Sequence, residues 1–204
     1  LMVSSAAYRQ SSRANAKAGK MDAGNVYLWR RSPMRLEAES IRDSILTVSG
    51  ALNPVAGGPG FRDFKMYKHK GSWVYDPIDP EGPEFNRRSI YRTWARGNVH
   101  LLLAPLDCPD PSTATSVRSV TTTPLGALSL MNTSFVIRMS EKMARRLEAD
   151  KSGEQERIGH AYELAFGRPA TPGDIDLAME FVRKNGLAAF CRVLFNANEF
   201  LYLN

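Results

Sequence analysis

The sequence predicts a mainly α-helical chain, with a helical bundle in its C-terminal half and a small aromatic β-hairpin inserted before it. Two observations predict it. Apolar residues recur at three- and four-residue spacing through residues 33–52 and again from residue 123 to the end, and most of these runs are bracketed by capping residues, proline and glycine. Between them the stretches FRDFKMYK and SWVYD alternate aromatic and polar residues around a glycine, the pattern of two short strands and a turn.

In chain order, Ser32 is expected to cap a helix that has Pro33 at its first position. Ala38, Ile41, Ile45, Val48 and Leu52 would form its buried stripe, with Gly50 near its end and GGPG at 57–60 stopping it. Residues 61–76 read as the hairpin, and DPIDPEGPEF as a proline-rich loop. RRSIYRTW and VHLLLAPL read as strand or short helix, which period alone does not separate. A helix beginning at Thr123-Pro124 would carry the stripe Leu128, Met131, Phe135, Met139, Met143 and Leu147 as far as Lys151. Those methionines read as gap-filling core residues rather than haem ligands. A second helix runs from Glu154 to Gly167, and a third starts at Thr171-Pro172 with Asp174. The last runs from Leu187 and buries Cys191, Leu194, Phe195 and Leu201. The expected organisation is therefore one domain fragment of 204 residues, helical over 1–56, hairpin and loops over 57–122, and a four-helix segment over 123–204.

Composition narrows the function classes. No run reaches the roughly 20 apolar residues of a membrane span. Residues 1–100 hold 16 Lys and Arg against 9 Asp and Glu, whereas residues 101–204 hold 11 against 12. A basic first half suits a polyanion or a partner surface, but no recognised nucleic-acid motif accompanies it. Cys108 and Cys191 are too few for a disulfide framework or a four-ligand zinc site, and no C-x-x-C-H attaches a haem. His69, His100 and His160 match no metal-ligand spacing, so they read as structural and no metal site is expected.

The candidate functional residues form a polar cluster on and near the first long helix: Arg9, Arg35, Glu37, Glu39, Arg42, Asp43, Arg88, Tyr91 and Asp107. Arg35, Glu39 and Arg42 are spaced by four and three and share one helix flank. They would hold either solvent or a neighbouring segment such as YRQSS or RRSIYR, and an exposed pair contributes only about 0–1 kcal/mol. Arg87, Arg88 and Arg92 read as arginines pairing with Asp107 and Asp110, or as a guanidinium and aromatic surface for a carboxylate, sulfate or sugar. Asp107, Asp110, Glu37 and Asp43 supply carboxylates for glycoside chemistry if two of them meet, while DCPDPS reads equally well as an Asx-type turn. There is no G-x-S-x-G elbow for a serine hydrolase.

Seven phrases in order carry a family resemblance: YRQSS (8–12), LWRRSPMRLEAESIRDSILTVSGAL with GGPG after it, RRSIYRTWAR, LDCPDPS, TTTPLGALSLMNTSFV, AYELAFGRPATPGD and FCRVLFNANEFLYLN. Together they resemble the planctomycete-type secreted domain, the C-terminal part of large exported proteins that often carry a cytochrome-c-like domain. Gly126 stands where that family usually has glutamine. The resemblance implies an exported, periplasmic or extracellular setting and haem c in an upstream domain, with no cofactor in this segment. The expected partners are the upstream domains of the same polypeptide. The function expected is interaction or scaffolding, with a polysaccharide-processing or redox enzyme and a polyanion-binding module as the alternatives.

Overall fold

The structure, a computed structural model, describes residues 1–203. Among them are eight α-helices and two small antiparallel sheets, so the chain is mainly α, as the sequence predicts.

Residues 1–31 hold no buried residue. They contain one short helix, α1 (Ala16–Met21), whose first amides are taken by the Asn15 side chain. Next comes a correction. Ser32 caps nothing, because Met34–Arg35 form a strand, β1, rather than the first turn of a helix. The helix that follows, α2, spans Ala38–Val48 and buries Ala38, Ile41, Ile45, Leu46 and Val48, with Arg42 among them. Its start is displaced because β1 is claimed by the end of the chain: Met34 and Arg35 pair with Leu203 and Tyr202 of β4 (Tyr202–Leu203), and the Leu36 amide donates to the Leu201 carbonyl.

The hairpin forms where the aromatic runs place it, as β2 (Phe64–His69) and β3 (Ser72–Pro77) joined by Lys70-Gly71. RRSIYRTW is neither strand nor helix throughout. Arg87 and Arg92 make single bridges to Asn53 and Phe61, with one 3-10 turn at Ser89–Tyr91 between them. Gly60 is required there, since a Cβ would lie 2.6 Å from the Tyr91 carbonyl oxygen.

Two of the expected C-terminal helices are each broken. The segment from Thr123 is α3 (Pro124–Asn132) followed by α4 (Ser134–Asp150), because Thr133 turns extended between them while its hydroxyl bonds the Ser129 carbonyl. Leu128 is consequently exposed, whereas Met139, Met143 and Leu147 are buried. After α5 (Glu154–Phe166) and α6 (Pro172–Asn185) come α7 (Leu187–Phe195) and α8 (Asn198–Leu201), split at Asn196-Ala197. Gly167 closes α5 in the left-handed conformation, and Thr171 with Asp174 forms the capping box of α6.

The core gathers α2, the Leu102-Leu103 turn, α4, α5 and α7. Ile41, Ile45, Leu103, Met143, Leu147, Ile158 and Phe195 are all fully buried, and each such side chain contributes roughly 1.5–3 kcal/mol relative to exposure. Cys191 lies inside it as a free thiol.

Candidate functional site

The polar cluster predicted around the first helix divides into three separate sets of bonds. Arg42 leaves the solvent side and enters the protein between the rings of Phe61 and Phe135, each centroid 5.3 Å away. Its Nη1 donates to the Arg87 carbonyl at 3.0 Å and to Ser89 Oγ at 3.2 Å, and its Nη2 to the Phe85 carbonyl at 2.7 Å. Burial lowers its pKa to about 10, so it remains charged at neutral pH. Asp43 completes this set: it accepts from the Ser89 amide at 2.7 Å and hydroxyl at 2.8 Å and from Arg88 Nε at 3.2 Å. Arg42 and Asp43 thus fasten α2 to the 85–89 segment.

Arg35 belongs to a second set. Its Nη1 reaches Asp107 Oδ2 at 2.9 Å and also the Thr121 carbonyl. Asp107 has a left-handed backbone and accepts the Thr121 amide at 2.8 Å and hydroxyl at 2.7 Å. Partial burial raises the Asp107 pKa, but the Thr121 bonds and Arg35 outweigh it and hold the carboxyl below its ordinary value. Glu39 forms the third set, in a two-pronged pair with Arg118 at 2.8 and 3.1 Å, with exposed Glu37 3.4 Å from the same guanidinium. Cys108 lies 3.6 Å from Glu39, and burial together with that carboxylate pushes its thiol up to about 12, which leaves it protonated and unreactive.

Two expectations need correction. Arg9 is exposed and makes no hydrogen bond with the other candidate residues, since its segment folds back on residues 28–31 instead. Arg87, Arg88 and Arg92 pair with neither Asp107 nor Asp110. Arg87 lies 4.0 Å from the Tyr91 ring centroid and donates to the Pro59, Val55 and Gly57 carbonyls, while the Tyr91 hydroxyl accepts the Gly57 amide at 2.9 Å. Asp110 makes a local turn with the Ser112 amide at 2.7 Å.

A further buried polar group, around Asp63, is not legible in the sequence spacing. Arg92 donates through Nε to Asp63 Oδ2 at 2.7 Å and through Nη2 to Asn98 Oδ1 at 2.7 Å, and its guanidinium lies over Trp94. His100 Nε2 lies 3.2 Å from the same Asp63 oxygen, while its Nδ1 accepts the amides of Leu102 and Leu103 at 3.0 and 3.1 Å. Asp63 is pushed up by burial, but His100 and Arg92 outweigh this and lower its pKa; burial lowers that of His100. A cavity of about 50 Å³ bounded by Arg42, Phe61, Asp63, Phe85, Arg92 and Phe135 adjoins this group. The atoms left without partners, Asp63 Oδ1, Arg92 Nη1 and Asn98 Nδ2, are sealed from solvent. With both imidazole nitrogens engaged, the dyad holds the Leu102-Leu103 turn.

Every candidate carboxylate thus has an internal partner, and among the described residues no group of three or more His, Cys, Asp or Glu gathers for a metal. No helix is long and apolar enough to cross a membrane.

Residues 1–31 turn many of their groups outward. Gln10 Nε2 donates to the Leu28 carbonyl at 2.6 Å and the Arg31 amide to the Ser11 carbonyl at 3.1 Å, which ties YRQSS to LWRR. Asp22 takes the Val26 and Tyr27 amides, Trp29 Nε1 donates to the Asp22 carbonyl, and Arg31 lies over Tyr8. Among the described residues no hydrogen bond or ion pair joins this lobe to residues beyond 35. It nevertheless exposes Leu1, Met2, Val3, Tyr8, Met21, Val26, Tyr27 and Leu28.

No curated protein and no solved structure matches the chain. Residues 1–182, from the lobe through most of α6, match one family, and the chain therefore belongs to PSD1, protein of unknown function (DUF1553).

Proposed function

We propose that this chain is an interaction domain, whose 1–31 lobe docks on another part of the polypeptide that carries it. The observation that supports this reading most is a folded lobe with no buried residue and eight exposed large apolar side chains. Exposed apolar side chains concentrated in so short a segment support an interaction site. Leu28 strengthens the reading: it is 65% exposed and held at a φ of 54°, a conformation that an L side chain enters at a cost of roughly 1–2 kcal/mol. The lobe also holds six Lys and Arg against one Asp, with Arg30 and Arg31 stacked on Trp29 and Tyr8. Arginine, tyrosine and tryptophan are the residues that dominate binding energy at interfaces.

The resemblance supplies the setting of the proposal: the C-terminal domain of an exported, multi-domain bacterial protein, scaffolding upstream domains that include a haem c redox domain. The enzyme reading has less support, because the carboxylates and guanidiniums that would act on a polysaccharide are already bonded to one another or to the backbone. Cross-linking the natural polypeptide through Lys17 and Lys20, followed by mass spectrometry, tests the proposal. We expect both lysines to link to residues outside the 1–204 segment. Links confined to α2–α8 would contradict it.

A further inference from the structure

A second surface, separate from the lobe, has its own chemistry. β2 and β3 form a two-stranded sheet with no third strand among the described residues. Every β2 residue after Phe64 is exposed, as are Trp73 and the Lys70-Gly71 turn. An isolated hairpin is marginal in water, and each outer edge offers unpaired amides and carbonyls to another strand.

The charges on this sheet are unevenly divided. Lys65, Lys68 and His69 lie on β2 and Lys70 at the tip, whereas β3 carries a single charged residue, Asp76. Lysine on an edge strand is a common guard against self-pairing, and that accounts for Lys65 and Lys68 in part. It does not account for Lys70. This residue sits in the turn at a φ of 47°, ahead of Gly71 at 84°, where asparagine, aspartate or glycine is the favoured occupant. A cation is held there in a disfavoured conformation, next to Lys68 and His69, with Lys68 Nζ lying 5.3 Å from the Trp73 ring centroid.

The geometry points to the β2 edge as a docking site for an extended acidic segment of a partner protein, added as a third strand. Lys65 and Tyr67 project from one face of the sheet, and Met66 and Lys68 from the other. The partner's main chain would therefore bond the free edge while its carboxylates meet Lys65 and Lys68 from opposite faces, three positions apart, with Lys70 at the tip and apolar residues beside exposed Met66 and Tyr67. The same lysines repel a second copy of the hairpin, so the edge discriminates by charge. Heparin, nucleic acid or an anionic membrane would engage the lysines without needing the strand edge.

Hydrogen exchange on the full chain separates these cases. The probes are a short synthetic peptide of Val with Glu at every third position, the same peptide with proline in place of valine, heparin, and phosphatidylglycerol vesicles. We expect only the Glu-Val peptide to slow exchange of the outward amides of Lys65–His69. Lys65→Gln with Lys68→Gln should weaken its binding at least about tenfold. Lys70→Asn should raise the thermal midpoint and weaken the same binding, an outcome that misfolding cannot produce. No slowing with the peptide up to millimolar concentration would overturn the inference, as would equal slowing by heparin or vesicles, or undiminished binding by the Lys70→Asn variant. None of these outcomes bears on the lobe, whose cross-links test it separately.

Discussion

His100 carries two kinds of bond at once: its Nδ1 collects the amides of Leu102 and Leu103, and its Nε2 faces Asp63. Protonation at Nδ1 would expel both amides and put a second cation beside Arg92, so burial and the neighbouring Arg92 and Arg42 hold the imidazole neutral against the pull of Asp63. The consequence for stability has a definite sign. The folded pKa lies below the ordinary 6.5, so the unfolded chain binds a proton first as the pH drops. Stability is then fully present above that value and falls below it, by at most about 1.4 kcal/mol per pH unit for one proton. Asp63 acts lower, because a carboxyl whose pKa is depressed from 3.8 loses its contribution only as the pH falls below that value. Urea midpoints between pH 7 and pH 5 should decline in the native chain and flatten in His100→Gln; equal slopes in the two would contradict this account.

At the scale of elements, Arg42 makes α2 more than an amphipathic helix. A guanidinium on the buried side of the helix satisfies carbonyls of the 85–89 segment, which has no ladder of its own and would otherwise leave them unpaired in the interior. Arg42→Met keeps much of the volume and removes every donor, so it should destabilise the fold by about 2–4 kcal/mol in equilibrium urea unfolding. A loss under about 1 kcal/mol would mean that the carbonyls find other partners. The helices themselves were legible in sequence because caps and apolar period are local: Thr171-Pro172 with Asp174, Gly167, and the methionine stripe of α4 all lie where the residues point. The Thr133 break was not, since a threonine hydroxyl reaching back to Ser129 uses the same residue types as a continuing helix. The delayed start of α2 was hidden too, because the strand that claims Met34 and Arg35 arrives from residues 202–203. Among the candidate residues, spacing put Arg35, Glu39 and Arg42 on one helix flank; Glu39 and Arg42 do lie on α2, but Arg35 lies on β1 and Glu39 pairs with Arg118 rather than with either arginine. Arg92 and His100 are legible singly, as an arginine that pairs and a structural histidine, but their meeting at Asp63 is not, because the Arg92–Asp63 pair spans 29 residues and no periodic pattern records such a contact.

Across the whole molecule, inward and outward chemistry are divided along the chain. From α2 onward the charged groups mostly meet one another or the backbone around a continuous apolar core, whereas residues 1–31 fold on themselves and leave their apolar and basic side chains to solvent. Such a lobe contributes little to the stability of the remainder, because it buries no side chain there and shares no hydrogen bond with it. Comparing equilibrium urea unfolding of the full chain with that of residues 32–204 tests this division most directly. The account expects the same midpoint for both, with a single cooperative transition in each. A markedly lower midpoint, or loss of the cooperative transition, would place the lobe within the fold and contradict its role as a docking element.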